Sequence, residues 1–421
     1  MTAAGFVKYP PLCYHHAAPA MINIELAERD LLKRIGINGF FWDKPFTGSG
    51  QYTRELWRAL HEARLVGDEL RATMLHPPEQ RVANDADAAL GAHYQAQRRW
   101  AIGDNLRELW WEQMELGAAA RMLSIDLLHS PYMAAPLLKP CPLVVTVHDL
   151  IPLRLPEYRG SRLFRLYLRL ATAAARRARL LLTDSQCSKR DIIELLRVPE
   201  QRVKVTYLGV GAQYRPASAE QQAATRARFG LPEGYIFYIG GFDRRKNVIG
   251  LLRAYAAALP QMQSPRPLAI AGKPPDEKAR LSNPALFPDV GAEAQRLGLG
   301  DNVRWLGQVS DADKAALYAA AGLFVFLSLY EGFGLDPLEA LACGAPLVCS
   351  NASSLPEVVG DAGILVDARD PANLSAAMLA VLNDEAKQAE LRAKGPPQAA
   401  RFTWEQTARA TVAAYRQVLG M

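Results

Sequence analysis

Apolar residues come in short unbroken runs, each followed by a polar turn and then by a stretch with helical spacing. "RIGINGFF" (34–41), "LSIDLLHS" (123–130), "CPLVVTVHDLIP" (141–152), "RLLLT" (179–183) and "VKVTYLGV" (203–210) are such runs. After "GAQYRPASAEQQ" the pattern restarts with "GYIFYIGG" (234–241), "RPLAIAG" (266–272), "NVRWLGQV" (302–309), "GLFVFLS" (322–328), "APLVCS" (345–350) and "AGILVD" (362–367). Continuous rather than alternating apolar runs, with helices between them, predict parallel strands covered on both faces. The expected fold is therefore α/β: two Rossmann-like, doubly wound domains facing across a cleft. The predicted boundaries are 35–213 for the first domain and 214–400 for the second. The closing segment, "RFTWEQTARATVAAYRQVLG", reads as one amphipathic helix. Residues 1–34 carry no such pattern and read as a loose extension.

Composition agrees with two cores. The chain has 421 residues, half of them apolar, more than one core usually holds. Its 49 Lys+Arg against 43 Asp+Glu suit an anionic ligand. The signatures of nucleic-acid modules are absent. Five cysteines, Cys13, Cys141, Cys187, Cys343 and Cys349, form no Cys-x-x-Cys pair, which predicts a reduced, cytoplasmic protein without a zinc site. No run approaches the roughly 20 apolar residues of a membrane span, and the start lacks the pattern of a secretory leader.

In doubly wound sheets, ligands sit at the carboxyl ends of the strands. The most informative strand end is "SLYEGFGLDPLEALACGAPLVCS" (328–350). Glu331 precedes a glycine turn that lets backbone approach a ligand. Asp336 is expected to cap the next helix, with Pro337 at its first position, and the free amides there suit a diphosphate. Glu339 would reach a hydroxylated part of the ligand. Asp336-x-x-Glu339 is equally the pattern of a capping box. A second anion signal is "YIGGFDRRKNVIGLL", where Arg244, Arg245 and Lys246 stand at a helix start against the macrodipole, a cost that a bound anion would offset. His148 and Asp149 end a buried strand; His148 can donate to a sugar hydroxyl, act in proton transfer, or be satisfied by backbone. "TGSGQY" (47–52) reads as a flexible loop or an ordinary strand-to-helix turn.

Two Asp-x-Asp pairs, at 85–87 and 311–313, resemble metal-binding spellings. Both stand where acids favour a helix start, and Ser310 is a fitting cap for the second. Cations and helix ends can neutralise a diphosphate, so no metal is expected. The segment 158–179 has seven arginines and no acid. Arg162, Arg165, Arg169 and Arg176 fall along one helical face, which suits either anionic lipid or a core-packed helix with a solvated basic side.

With these residues assembled, the chain resembles the retaining glycosyltransferases of family 4, which have the GT-B fold. "EGFGLDPLE" matches their Glu-x7-Glu signature, and "GGFDRRKNV", "LTDSQCSKRDI" and "LGQVSDADKAALYAAA" are similar to further segments over residues 35–421. The resemblance implies a nucleotide diphosphate sugar as donor substrate, with no separate cofactor. It implies that Glu331 lies beside the donor sugar and that Glu339 binds the ribose. Arg245 and Lys246 would hold the diphosphate, and His148 would approach the sugar from the other domain. Gly332, Phe333, Gly334 and Leu335 would offer backbone contacts, Val309 would face the base, and Gly48, Ser49 and Gly50 would close over the diphosphate. The last helix would cross back to the first domain. Many members carry an arginine directly after the first glycine of this "GG", where this chain has Gly241, and Arg245 is expected to substitute.

"GSGQYTREL", "TVHDLIP" and "RKN" look most like the branch that uses GDP-mannose in bacterial surface polysaccharide assembly. The expected reaction is hexose transfer, with retention, to a glycan or lipid-linked acceptor at the inner face of the membrane. A UDP- or dTDP-sugar donor is the alternative. A sugar phosphorylase, an epimerase and a non-catalytic binding subunit are further alternatives; the intact Glu331, Glu339, Arg245 and Lys246 set argues for catalysis.

Overall fold

The computed structural model describes residues 32–45, 47–67, 69–78, 80, 87–96 and 104–421. Most of the predicted N-terminal extension, together with Cys13 and Asp85, lies outside them. The first strand opens at Lys33, two residues ahead of the predicted domain start.

The first sheet has seven parallel strands: β1 (Lys33–Asn38), β2 (Leu70–His76), β3 (Ala92–Gln95), β4 (Leu127–Ser130), β5 (Leu143–Thr146), β6 (Leu180–Thr183) and β7 (Val203–Val205). Their order is β3-β2-β1-β4-β5-β6-β7. β2 and β3 were not among the predicted runs. β2 exposes Arg71, its second residue, and the edge strand β3 buries none of its residues fully, so neither reads as a continuous apolar run. The second sheet has six parallel strands: β8 (Ile236–Ile239), β9 (Leu268–Ala271), β10 (Val303–Gly307), β11 (Leu323–Phe326), β12 (Leu347–Ser350) and β13 (Ile364–Val366). Their order is β10-β9-β8-β11-β12-β13. The strands β4, β5, β6, β8, β9, β11 and β12 are buried along their whole length, as strands covered on both faces must be.

In each sheet the winding direction reverses at one point, between β1 and β4 in the first and between β8 and β11 in the second. A crevice opens at such a reversal.

The helices that matter for the site are α1 (Gly48–Glu62), α2 (Arg162–Arg177), α3 (Gln186–Leu196), α4 (Val248–Ala258), α5 (Asp311–Ala320), α6 (Leu335–Ala342), α7 (Leu355–Val359) and α8 (Trp404–Leu419). The last belongs to the chain's end but packs on α1 of the first domain. Tyr415 reaches the buried His129 of β4, with 2.6 Å between its hydroxyl and Nδ1. The connecting segments run side by side: the Val210 amide donates to the Phe402 carbonyl at 3.2 Å, and Thr407 Oγ1 donates to the Tyr207 carbonyl at 2.6 Å.

The four described cysteines, Cys141, Cys187, Cys343 and Cys349, are all free thiols. Among the described residues, no helix is long and apolar enough to cross a membrane.

Candidate active site

The carboxyl ends of β5, β6, β8 and β11 deliver the polar residues of the cleft. After β8 the chain passes Gly240 and Gly241 into a tight 3-10 turn, Arg244–Lys246. Asp243 caps that turn, its side chain accepting from the Arg245 amide. Asn247 then takes a left-handed conformation, and α4 begins only at Val248. The three cations therefore stand in a turn of their own, not in the first turn of the helix as expected.

After β11 the chain forms the 330–334 loop. Arg245 Nη1 lies 2.6 Å and Lys246 Nζ 2.7 Å from the same oxygen, Glu331 Oε1. All three side chains are at most 13% exposed. Burial alone would push the Glu331 carboxyl up, but Lys246 and Arg245 outweigh it and hold it below its ordinary value. Arg245 Nη1 also donates to the Tyr330 carbonyl at 2.9 Å. Two adjacent cations focused on one oxygen form a positive site that a diphosphate can share or take over.

Serines pin the loop from both domains. Ser353 accepts from the Glu331 amide, and Ser354 donates to the carbonyls of Glu331 and Phe333. From the first domain, Ser185 and Ser188 donate to the Gly332 carbonyl at 2.6 and 3.1 Å. Gly332 has no room for a side chain: a Cβ there would stand 2.6 Å from the His148 carbonyl oxygen and 2.9 Å from Asp149 Cβ. The two domains thus touch at Gly332. Glu357 of α7 adds a second contact, accepting from the Gln186 and Cys187 amides at 2.8 Å each. The carboxylate sits on the positive end of α3, a favourable place for it.

The helix after the loop differs from expectation. Gly334, at φ +117°, precedes α6, which begins at Leu335. Asp336 lies inside the first turn and caps nothing; it faces Lys314 at 3.5 Å and Tyr318 at 3.3 Å. Pro337 is the third helical residue, not the first. Nor is there a capping box: Glu339, 1% exposed, points to Lys314 Nζ of α5 at 2.5 Å. Neither Glu339 oxygen has a well-aligned hydrogen-bond donor. Burial raises this carboxyl against the pull of Lys314, to about 7. Buried acceptors with an incomplete set of donors fit a ligand that brings hydroxyls. Phe333 is buried against Tyr207 and Phe402, so only its backbone faces the loop. Leu335 and Val309 are half-buried, packed on the core of their domain.

On the first domain, "TGSGQY" is not a loop. Thr47 caps α1 through the Gly50 amide at 3.1 Å, and Gly48, Ser49 and Gly50 form the first helical turn. Free amides at that end keep it suited to an anion. His148 Nδ1 lies 2.7 Å from Asp184 Oδ2, and Nε2 lies 2.9 Å from the Pro131 carbonyl. Asp184 was not singled out in the sequence. Its place after the run 179–183, at a cleft-facing strand end, is the signal that marks it. Lys314 had no such signal, because only the tertiary fold brings α5 against α6.

Ser310 caps α5, and Asp313 pairs with Arg228, so 311–313 is a helix start. Among the described residues, no group of three or more His, Cys, Asp or Glu side chains could hold a metal.

The family described as "Glycosyl transferases group 1" matches residues 221–397, and "Glycosyltransferase Family 4" matches residues 46–214. The O-antigen chain mannosyltransferase B of Escherichia coli is 37% identical over 275 residues, covering 65% of this chain and 70% of that protein. A serotype-specific mannosyltransferase, WbdA, of Escherichia coli is 33% identical over 280 residues. That match covers 66% of this chain, which spans only 33% of the relative. Among solved structures, the sucrose-phosphate synthase of Thermosynechococcus elongatus superposes with a TM-score of 0.70 at 22% identity, over 92% of this chain and 99% of that one. That likeness supports the fold alone, the GT-B arrangement of two doubly wound sheets.

Proposed function

This chain belongs to the family 4 glycosyltransferases and is a hexosyltransferase; from that premise we propose that it moves mannose from GDP-mannose to an acceptor hydroxyl, with retention, in surface polysaccharide or glycolipid assembly. The observation that carries the reading is the convergence of Arg245 and Lys246 on one oxygen of Glu331 at the β8–β11 reversal point. The names of the mannosyltransferase relatives support the sugar.

The geometry supports the following roles. The donor diphosphate takes over the Arg245 and Lys246 cations, with the first turn of α1 (Gly48, Ser49, Gly50) across from it. Glu331, freed from them, faces the ring hydroxyls of the sugar. Glu339 accepts from the ribose hydroxyls, Val309 lies by the base, and the backbone of Gly332, Phe333, Gly334 and Leu335 lines the sugar and phosphate. As the bond to the sugar breaks, negative charge grows on the leaving phosphate, and fixed cations stabilise it there more than in the ground state. The sugar passes through an oxocarbenium-like state, and the leaving phosphate oxygen takes the acceptor proton. The two cations supply the neutralisation that a metal gives elsewhere, so transfer needs none.

The acceptor reading rests on α2. Its first turns expose Leu163 (45%), Phe164 (38%) and Leu166 (50%) among Arg162, Arg165 and Arg169. That mixture suits a lipid-linked acceptor approached at an anionic membrane surface.

Thermal unfolding against GDP, UDP, ADP and dTDP, with and without EDTA, tests the donor. A rise in Tm with GDP alone, unaffected by EDTA, is expected by mass action. A rise with UDP or dTDP alone overturns the GDP donor. The anomeric configuration of the product, read by NMR, tests retention.

A further inference from the structure

His148 ends β5 with its ring set edge-on to Tyr52, 4.8 Å between centroids, and its side chain 19% exposed. Both ring nitrogens are engaged, Nδ1 by the Asp184 carboxylate at 2.7 Å and Nε2 by the Pro131 carbonyl at 2.9 Å. Both partners are acceptors. A neutral imidazole has one N–H and one lone pair, so one contact would set acceptor against acceptor. The Pro131 carbonyl can only accept. Two proton arrangements resolve the conflict: an imidazolium donating to both partners, or a protonated Asp184 donating to Nδ1. An imidazole is more basic than a carboxylate by about 2.6 pH units before any environment acts, so the proton belongs on the ring.

The surroundings agree. Asp149, next along the chain, adds a second acid beside the ring. Burial pulls the His148 imidazole down, but Asp184 and Asp149 more than restore it, above its ordinary value. From α1, Tyr52 presents a neutral phenol whose hydroxyl bonds Thr146. On β4, His129 is fully buried and held down at about 3 by that burial and by the charge of His148. Across the cleft, Arg245 and Glu331 act on Asp149 with opposite sign.

We infer that His148 is a resident imidazolium with Asp184 as its positioning residue, so that the ring is a fixed counter-charge that neutralises the Asp184 carboxylate in the first domain's wall rather than a proton carrier. The inference rests on the donor-site reading above for its catalytic meaning, and on the two acceptor contacts for the charge itself. A transition state that sheds a diphosphate then meets Arg245 and Lys246 on one wall and a neutral His148–Asp184 pair on the other, whereas loss of the His148 proton would leave the Asp184 carboxylate uncompensated there. The His148 proton stays in place throughout, since both N–H groups already have acceptors.

The test is nitrogen NMR of the imidazoles in the full chain without donor, from about pH 6 to about pH 9, with transfer rates at saturating donor over the same range, so that the pH dependence of donor affinity does not enter. Expected is a His148 protonated on both nitrogens at about pH 7 and titrating above about 6.5. In Asp184→Asn the titration should fall by at least one unit, about tenfold in proton affinity, and Asp184→Glu should restore it. The transfer rate should decline as pH rises through the His148 titration, and that decline should begin lower in Asp184→Asn. A neutral single tautomer at about pH 7 overturns the inference, as does a titration unmoved by Asp184→Asn. A rate that rises as His148 loses its proton overturns it too, because it marks a base. If Asp184→Asn fails to fold, the wild-type spectra alone decide. Absence of transfer with any donor would defeat the proposed reaction, while the nitrogen spectra would still decide the charge on His148.

Discussion

Glu331 and Arg245 form a 2.6 Å ion pair in the cleft, and Lys246 shares the same carboxylate oxygen at 2.7 Å. The pair occupies the ground where a leaving diphosphate would need its cations. In the proposed reaction, donor binding and the Glu331 contact would therefore compete for the same positive charge. Glu331→Gln should free the cations. GDP should bind the variant at least as tightly, by calorimetry, while kcat falls on the order of 100-fold through loss of the carboxylate facing the sugar. Weaker GDP binding in that variant would show that the cations do not serve the diphosphate.

Gly332→Ala tests whether the contact between domains is needed for reaction. The added methyl has no room beside the His148 carbonyl at 2.6 Å, so the domains must separate to admit it. A loss on the order of 100-fold in kcat/KM is expected, because displacement of reacting groups by an ångström costs about that much. Solution scattering should report a wider particle, with the secondary structure unchanged by circular dichroism.

Nucleotide affinity should depend on pH through Glu339. Its carboxyl is raised from 4.5 to about 7 by burial, and only the ionised form offers both oxygens to ribose hydroxyls. GDP affinity should therefore strengthen as pH rises through about 7, and Glu339→Gln should flatten that dependence. Stability should move the other way. Between 4.5 and about 7 the folded carboxyl keeps a proton that the unfolded one has lost, so this group's contribution falls as pH rises through that window. Denaturant titrations of wild type and Glu339→Gln across the range measure that slope.

Vesicle sedimentation tests α2 as a membrane-facing element. Vesicles with anionic headgroups should bind the protein, and neutral ones should not. Charge reversal at Arg162, Arg165 and Arg169, or glutamate at Leu163, Phe164 and Leu166, should abolish sedimentation while sparing GDP binding. No binding by the unaltered protein removes the membrane from the proposal.

The fold was legible where strands are buried on both faces, because short continuous apolar runs bounded by polar turns, such as 180–183 and 323–326, are what such strands require. It was not legible at β2 and β3, where position near the sheet edge admits Arg71 and a half-exposed "AHYQ". Helix starts were misplaced by a residue or more. The stretch 47–52 read as a flexible loop or an ordinary strand-to-helix turn, and Gly48, Ser49 and Gly50 in fact form a helical turn capped by Thr47, while Asp336 read as a cap because nothing local reveals Lys314 and Tyr318 waiting across from it. The Glu331, Arg245 and Lys246 group was visible as strand-end chemistry. The partnership of Glu339 with Lys314, and of His148 with Asp184, depends on contacts between distant segments that no local pattern encodes.

The chain passes from first domain to second near residues 207–210 and returns near 402–407, and these two passages are bonded to each other. Mechanically, this hangs one body on the other by two adjoining pins. Sliding and free tumbling are suppressed, and a swing about the shared axis is the motion left over. A swing on that axis would bring the His148 carbonyl and Gly332 together in one register. The closing helix α8 is thus part of the bearing, and severing the chain between residues 400 and 404 would convert a one-axis motion into a loose tether.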